Sequence, residues 1–161
     1  LDLPATLEAG VRLQASKRVT LYVNLRWRYW SSVEELRVRF DNPAQPDSVE
    51  ELHYEDSGRI ALGLDYALSE DWAVRGGIAY DETPTQDEFR TARISDDNRL
   101  YYALGASYTG WEGWQVDFAY NRVEIEDHDF DHVGNFGDRL VGEYSGGADV
   151  VSIGVTRRLG R

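Results

Sequence analysis

The sequence predicts an all-β protein whose strands form the wall of a transmembrane antiparallel barrel. The first observation is a period of two: over residues 72–81, and again over 100–108, large apolar side chains alternate with small or polar ones. Each segment also has about the length, 9–11 residues, with which a tilted strand crosses a bilayer. Finally, short turns alternate with long loops, an asymmetry typical of outer-membrane barrels.

The first two strands are predicted from alternation near the start of the chain. Residues 6–14 are apolar at odd positions and polar or small at even positions, and a polar turn at 15–18 leads to a second strand over 21–30. The even positions of this second strand include Arg26 and Arg28. Arginines on one strand face are costly in a dry core and inexpensive in a wet lumen. Residues 33–40 also alternate, and we expect them to extend the second strand beyond the membrane.

Five further strands follow from the same pattern, which gives seven in total. They are predicted at about 60–66, 72–81, 100–108, 114–121 and 148–159. Short turns are expected at 68–71 and 109–113, and long loops at about 31–56, 82–98 and 124–147. Aromatic residues near the strand ends match the interfacial girdles of membrane barrels: Trp27, Tyr29, Tyr66, Trp72, Tyr80, Tyr108, Trp114 and Tyr120. A soluble barrel with an apolar interior remains the alternative, because lipocalin-like folds also have unequal loops.

Composition and motifs argue against several classes of function. The chain has 29 acidic and 17 basic residues, so nucleic acid is a poor partner. Without cysteine there is no thiolate catalysis and no cysteine-ligated metal. No Gly-x-Ser-x-Gly nucleophile elbow occurs, and the Asp- and His-rich segment 127–132 fits no EF-hand or His-Glu-x-x-His pattern. We therefore expect neither an enzyme, nor a cofactor, nor a structural metal.

A series of short segments resembles the C-terminal part of the FadL family of outer-membrane hydrocarbon transporters. The individual segments are weak, but their order and spacing are specific and cover nearly the whole chain. They are LPAT at 3–6, RYWSS at 28–32, FDNP at 40–43, AYDETP at 79–84, DEFRT at 87–91, DDNR at 96–99 and LGASY at 104–108.

The resemblance implies a specific architecture and role. The family fold is a fourteen-stranded barrel around an N-terminal hatch, so the seven strands here correspond to the last seven, and we expect the chain to be the C-terminal portion of a larger outer-membrane barrel. It implies passive, binding-assisted diffusion of hydrophobic molecules, such as long-chain fatty acids, across the bacterial outer membrane. The implied partners are the substrate, the missing N-terminal half, outer-membrane lipid and lipopolysaccharide. The alternative is a small structural or adhesive barrel that transports nothing.

Charged side chains on the polar parity, and in the loop from Asp81 to Arg99, are the candidate ligand-binding residues. An arginine could bind a fatty-acid carboxylate through a charge-assisted hydrogen bond. The competing interpretation is a network of ion pairs that hydrates and stiffens the wall. The candidates are Arg26, Arg28, Asp65, Arg75 and Asp117 in the lumen, and Arg90, Arg93 and Arg99 in the loop.

Overall fold

The computed structural model describes residues 3–42, 44–90, 96–133 and 137–159, and these form an almost entirely β structure. The strands are β1 (Thr6–Gln14), β2 (Val19–Arg28), β3 (Glu35–Val38), β4 (Ser48–Glu51), β5 (Ser57–Ala67), β6 (Trp72–Asp81), β7 (Arg99–Tyr108), β8 (Trp114–Val133) and β9 (Arg139–Arg157). Two 3₁₀ turns lie at Trp30–Ser32 and Asp87–Phe89. Within the described ranges, no helix is long and apolar enough to cross a membrane.

Seven strands form one sheet in the order β1-β2-β5-β6-β7-β8-β9, and β3 and β4 form a separate two-stranded sheet. All neighbouring strands of the large sheet are antiparallel. This architecture confirms the predicted all-β fold and its seven wall strands. The order follows the chain because each wall strand is joined to its neighbour by a turn, a loop or the β3–β4 hairpin.

The register gives the large sheet one apolar face and one polar face. On the apolar face, Leu25 is paired with Ile60, and Ile60 is paired with Tyr80. Ile78 on that face is 44% exposed, whereas Ala79, the next residue, is 7% exposed. Large apolar groups therefore point away from the protein while polar-face groups contact one another, which is the reverse of a soluble sheet packed on a core.

The structure differs from the prediction for residues 33–40. These residues do not extend β2, because the 3₁₀ turn at Trp30–Ser32 ends that strand. Instead, β3 pairs with β4 as a hairpin inside the long loop. The alternation was real, but it belongs to a separate small sheet whose strands are four residues each.

The predicted loop at 124–147 was too long, and the last strand was predicted too short. β8 continues to Val133 and β9 begins at Arg139, so most of the segment is a long hairpin with one irregularity between Ile125 and His128. Charges and glycines had suggested a loop. A hairpin that extends beyond the membrane has water on both faces, so its strands lose the apolar-polar alternation on which the prediction depended.

The two loops that follow β2 and β6 pack against each other at the same end of the sheet. Within the first loop Trp30 and Tyr54 meet edge to face at 5.6 Å, and between the two loops the ring centres of His53 and Phe89 are 4.3 Å apart. Burial raises the pKa of the Tyr54 hydroxyl. Hydrogen bonds from the Ser31 side chain and backbone hold the pKa of Asp56 below its usual value. The described loop residues therefore form a packed layer above the strand ends.

Candidate functional site

Arg75 is the centre of a polar cluster that crosses five strands on the polar face. Its Nε lies 3.2 Å from Asp65 Oδ1, and its Nη1 donates a hydrogen bond to Ser107 Oγ at 2.7 Å and lies 3.7 Å from Asp117 Oδ1. Tyr22 adds a hydroxyl that donates to Asp65 at 2.9 Å. We call these five residues the Arg75 cluster.

The Arg75 cluster has more anionic than cationic charge, and its groups already have partners. Asp117 accepts hydrogen bonds from Ser107 and from Gln115 Nε2, at 3.0 and 2.9 Å for its two oxygens. One guanidinium between two carboxylates has no spare positive charge for a third anion. The geometry therefore fits a brace across the wall better than a receptor for a carboxylate.

A second cluster lies nearer the long loops and has the opposite charge balance. Arg28 Nη1 is 3.6 Å from Asp81 Oδ1, and Arg59 Nε is 3.9 Å from Asp81 Oδ2. Ser57 lies opposite Arg28 in the register and is only 2% exposed. The Arg59 guanidinium also lies 5.4 Å from the centre of the Tyr101 ring. We call these five residues the Asp81 cluster.

Polar atoms of the Asp81 cluster lack hydrogen-bond partners among the described residues. These atoms are Ser57 Oγ, Arg59 Nε and Asp81 Oδ1. All three are buried, and none forms a hydrogen bond with a residue that the structure describes. Two guanidinium groups share one carboxylate at distances too long for good hydrogen bonds, so the cluster carries one net positive charge. Buried polar groups are normally satisfied, and unpaired donors beside excess positive charge fit an anion.

The other candidates are already paired. Arg26 donates from Nε to Glu8 at 2.9 Å, and Asn24 donates to the other Glu8 oxygen at 2.8 Å. Arg99, the first residue of β7, is paired with Asp96 of the preceding loop, which also accepts a hydrogen bond from Thr83 at 2.9 Å. Arg93 lies outside the described residues.

Arg90 forms a third cluster, with Asp97 and His128. Arg90 Nη1 is 3.2 Å from Asp97 Oδ2, and His128 Nδ1 is also 3.2 Å from that oxygen. All three side chains are at most 8% exposed. This His128 cluster joins the loop that follows β6 to the upper part of β8. Across the ranges that the structure describes, no three acidic or histidine side chains converge as metal ligands.

Of the Asp81 cluster, sequence reasoning named only Arg28 as a candidate and missed the other four members. Arg59 and Ser57 share the parity of Asp65, so extending the third strand toward its start would have included them. The prediction began that strand at residue 60, because the apolar alternation becomes clear only there. Arg28 and Asp81 had the correct parity, but their pairing depends on the register across three strands, which no single segment specifies.

Comparison with known proteins agrees with this geometry. A model of the family described as "Outer membrane protein transport protein (OMPP1/FadL/TodX)" matches residues 1–159. Outer membrane protein P1 of Haemophilus influenzae (strain ATCC 51907 / DSM 11121 / KW20 / Rd) is 31% identical over 138 residues, which are 86% of this chain and 30% of that protein. The long-chain fatty acid transport protein of Escherichia coli O6:H1 is 31% identical over 122 residues, covering 73% of this chain and 26% of that protein.

A solved structure shows the same arrangement of strands. The crystal structure of a Pseudomonas aeruginosa FadL homologue superposes with a TM-score of 0.85 at 28% identity, and the match covers 96% of this chain and 35% of that chain. The present chain thus spans about a third or less of its relatives' length.

The seven-stranded sheet, with an apolar exposed face and a polar face rich in ion pairs, defines a wall segment of an outer-membrane β-barrel. The chain belongs to the OMPP1/FadL/TodX family of outer-membrane transport proteins. The predicted localisation, the bacterial outer membrane, is thus confirmed.

Proposed function

We propose that the complete protein carries hydrophobic molecules, such as long-chain fatty acids, across the outer membrane by passive, binding-assisted diffusion. Family membership supports the transport of hydrophobic compounds. The remaining half of the barrel is expected to pair with β1 and β9, each of which has one edge without a paired strand in the described part of the chain. Unpaired edges cannot face lipid, because their backbone groups would be unsatisfied there.

Within this function, the Asp81 cluster is the proposed contact for a substrate carboxylate. The observation that carries the proposal is the pair of arginines, Arg28 and Arg59, that share Asp81 at 3.6 and 3.9 Å. Beside them lies the Ser57 hydroxyl, which has no hydrogen-bond partner in the part of the chain that the structure describes. An incoming carboxylate would balance the excess positive charge and accept hydrogen bonds from donors that lack them. Arg75, Asp65 and Asp117 are proposed to brace the wall, since their charges are already matched.

The test is uptake of a labelled long-chain fatty acid by cells that express the full-length protein or its variants. Arg59→Met and Arg28→Met should each weaken fatty-acid binding about tenfold to a hundredfold, because a hydrogen bond to a charged group contributes about 1.5–3 kcal/mol. Arg37→Met is the matched control, since this arginine lies in the β3–β4 hairpin with its own partners, Glu35 and Asp47.

A labelled alkane of similar length distinguishes recognition of the carboxylate from transport of hydrophobic molecules in general. If the arginine recognises the carboxylate, alkane uptake should be unchanged in Arg59→Met. If the variant only damages the barrel, alkane uptake should fall as much as fatty-acid uptake does. Equal uptake of both compounds with and without the gene would reject transport and favour the structural or adhesive alternative.

A further inference from the structure

The apolar face contains a groove at the end of the sheet nearest the long loops. Its cavity has a volume of about 460 Å³, and its lining includes Leu7, Leu25, Trp27, Ile60 and Tyr80. All five side chains are at least 40% exposed, so the groove is open to the surroundings of the barrel and not to its lumen. Arg26 and Arg59 also border it, although their side chains pair with Glu8 and Asp81 on the polar face. The apolar side chains of the groove lie on the other face of the wall.

Two small residues create the groove. One cross-strand row on this face runs from Leu7 through Trp27 to Gly58, and the next runs from Ala9 through Leu25 to Ile60. Each row therefore has one position at which a large side chain is missing. The following row, formed by Val11, Val23, Leu62 and Ile78, has no such gap. The row after that has a gap at Gly76, and Gly76, Leu104 and Phe118 are among the residues that line a second cavity of about 380 Å³. The groove at Gly58 is thus separated from this second cavity by one continuous row of large side chains.

The position of the groove along the strands indicates which part of the membrane surrounds it. Long loops are extracellular in outer-membrane barrels, so this end of the sheet lies in the outer leaflet. Trp27 and Tyr80 border the groove, and such aromatic residues lie at the level where lipid headgroups meet the acyl chains. An apolar depression at this depth is in contact with the upper part of lipid acyl chains.

The charge of Glu82 indicates which kind of molecule can occupy the groove. Glu82 lies next to Gly58 at the upper end of the groove, and its Oε2 accepts a hydrogen bond from the Gly58 N–H at 3.0 Å. A free fatty acid in the groove would place its own carboxylate beside this carboxylate, which is unfavourable. An esterified acyl chain has no charge at that point. We propose that the groove is a lipid site that holds one acyl chain of an outer-leaflet lipid.

Photolabelling of the full-length protein in phosphatidylethanolamine vesicles tests this proposal. The probe is a phosphatidylethanolamine with a diazirine in its acyl chain, and mass spectrometry measures labelling at Ile60 and Tyr80 relative to Val151 and Ile153. The last two residues lie exposed on the same face and line neither of the two cavities. Labelling should be higher at Ile60 and Tyr80 than at the reference residues.

A filled groove provides the decisive comparison. Gly58→Leu should reduce labelling of Ile60 and Tyr80 to the level of Ile153; a Cβ there meets the flexible end of Glu82 at 3.0 Å, which can shift. Gly76→Leu is the matched control, because this glycine is on the same face with its nearest neighbours at 3.9 Å. Ala9→Leu fills the groove from β1 and serves if Gly58→Leu does not assemble.

Three results would overturn the proposal. Equal labelling along the whole face would mean ordinary annular lipid. Unchanged labelling in both filling variants would mean that the groove does not hold the chain. Stronger labelling by a diazirine fatty acid than by the phospholipid probe would identify the groove as a site for free fatty acid.

Discussion

Asp97 is the carboxylate on which two basic side chains converge under the loop that follows β6. Arg90 and His128 both lie 3.2 Å from its Oδ2, and the three side chains are nearly inaccessible to water. The described loop is tied to β8 here and by the hydrogen bond from the Glu126 N–H to the Asn98 carbonyl at 2.9 Å. A buried ion pair of this kind affects stability mainly when one partner is removed, because the other charge is then left uncompensated.

Asp97→Asn should therefore loosen the contact between this loop and β8. Removing one partner of a buried pair costs about 3–5 kcal/mol, because the other charge stays buried without compensation. Hydrogen exchange of the full-length protein should show the Glu126 amide exchanging at least about a hundredfold faster.

Asp87→Asn is the matched control, because Asp87 contacts the same Arg90 at 3.1 Å but its side chain is 90% exposed. An exposed pair contributes only about 0–1 kcal/mol, so exchange at Glu126 should change little. Similar effects of the two substitutions would show that burial of Asp97 does not hold the loop.

Parity along single strands predicted part of the candidate site. It correctly placed Arg28, Asp65 and Arg75 on the polar face. It did not predict that Arg75 meets two carboxylates while Arg28 and Arg59 share one. That distinction comes from the register between strands, and it separates a charge-balanced brace from a cluster with excess positive charge.

At the scale of elements, the β8–β9 hairpin is the largest departure from the sequence prediction. Its upper part carries acidic residues on both strands, and Asp129 is directly opposite Glu143. Both are exposed, and like charges at directly opposite positions destabilise a pair of strands. Nearby in the upper hairpin, Asp131 is paired with Arg139. The hairpin therefore forms despite this repulsion.

Asp129→Lys should stabilise the upper hairpin by about 0.2–1 kcal/mol, because it converts a repulsive cross-strand pair into an attractive one. Slower hydrogen exchange of the amides near residues 129 and 143 in the full-length protein would show this. The effect should shrink at high salt, since both groups are exposed.

Asp127→Lys is the control for general charge effects. Asp127 lies in the irregularity between Ile125 and His128 and has no directly opposite partner in the register. It should change exchange less than Asp129→Lys does. Equal slowing by both substitutions would point to the net charge of the hairpin and away from the specific pair.

At the scale of the whole molecule, the number of wall strands was predictable because membrane-spanning strands alternate strongly. The extent of β8 and β9 above the membrane was not, because both faces are wet there. The β3–β4 hairpin was hidden for a related reason: its alternation is clear, but only pairing with residues 48–51 shows that it is separate from β2. Alternation thus predicts which face a residue occupies, and not which strand lies beside it.

The sidedness of the wall underlies every site proposed here, and it can be tested at two adjacent residues of β7. Leu104 is 63% exposed on the apolar face, midway along the strand, and Ala103 is an exposed residue on the polar face. Leu104→Arg should cost about 2–4 kcal/mol, because it places a charge near the middle of the bilayer. Ala103→Arg should cost much less, because the lumen provides water and nearby polar groups.

Both variants of the full-length protein are compared by reversible unfolding from phospholipid vesicles, with Ala103→Leu and Leu104→Ala as controls for side-chain size. A larger loss for Leu104→Arg than for Ala103→Arg is the expected result. Equal losses, or a larger loss at Ala103, would contradict the assignment of the two faces. The carboxylate contact at Arg28 and Arg59 and the lipid groove at Gly58 would then both be on the wrong side of the wall.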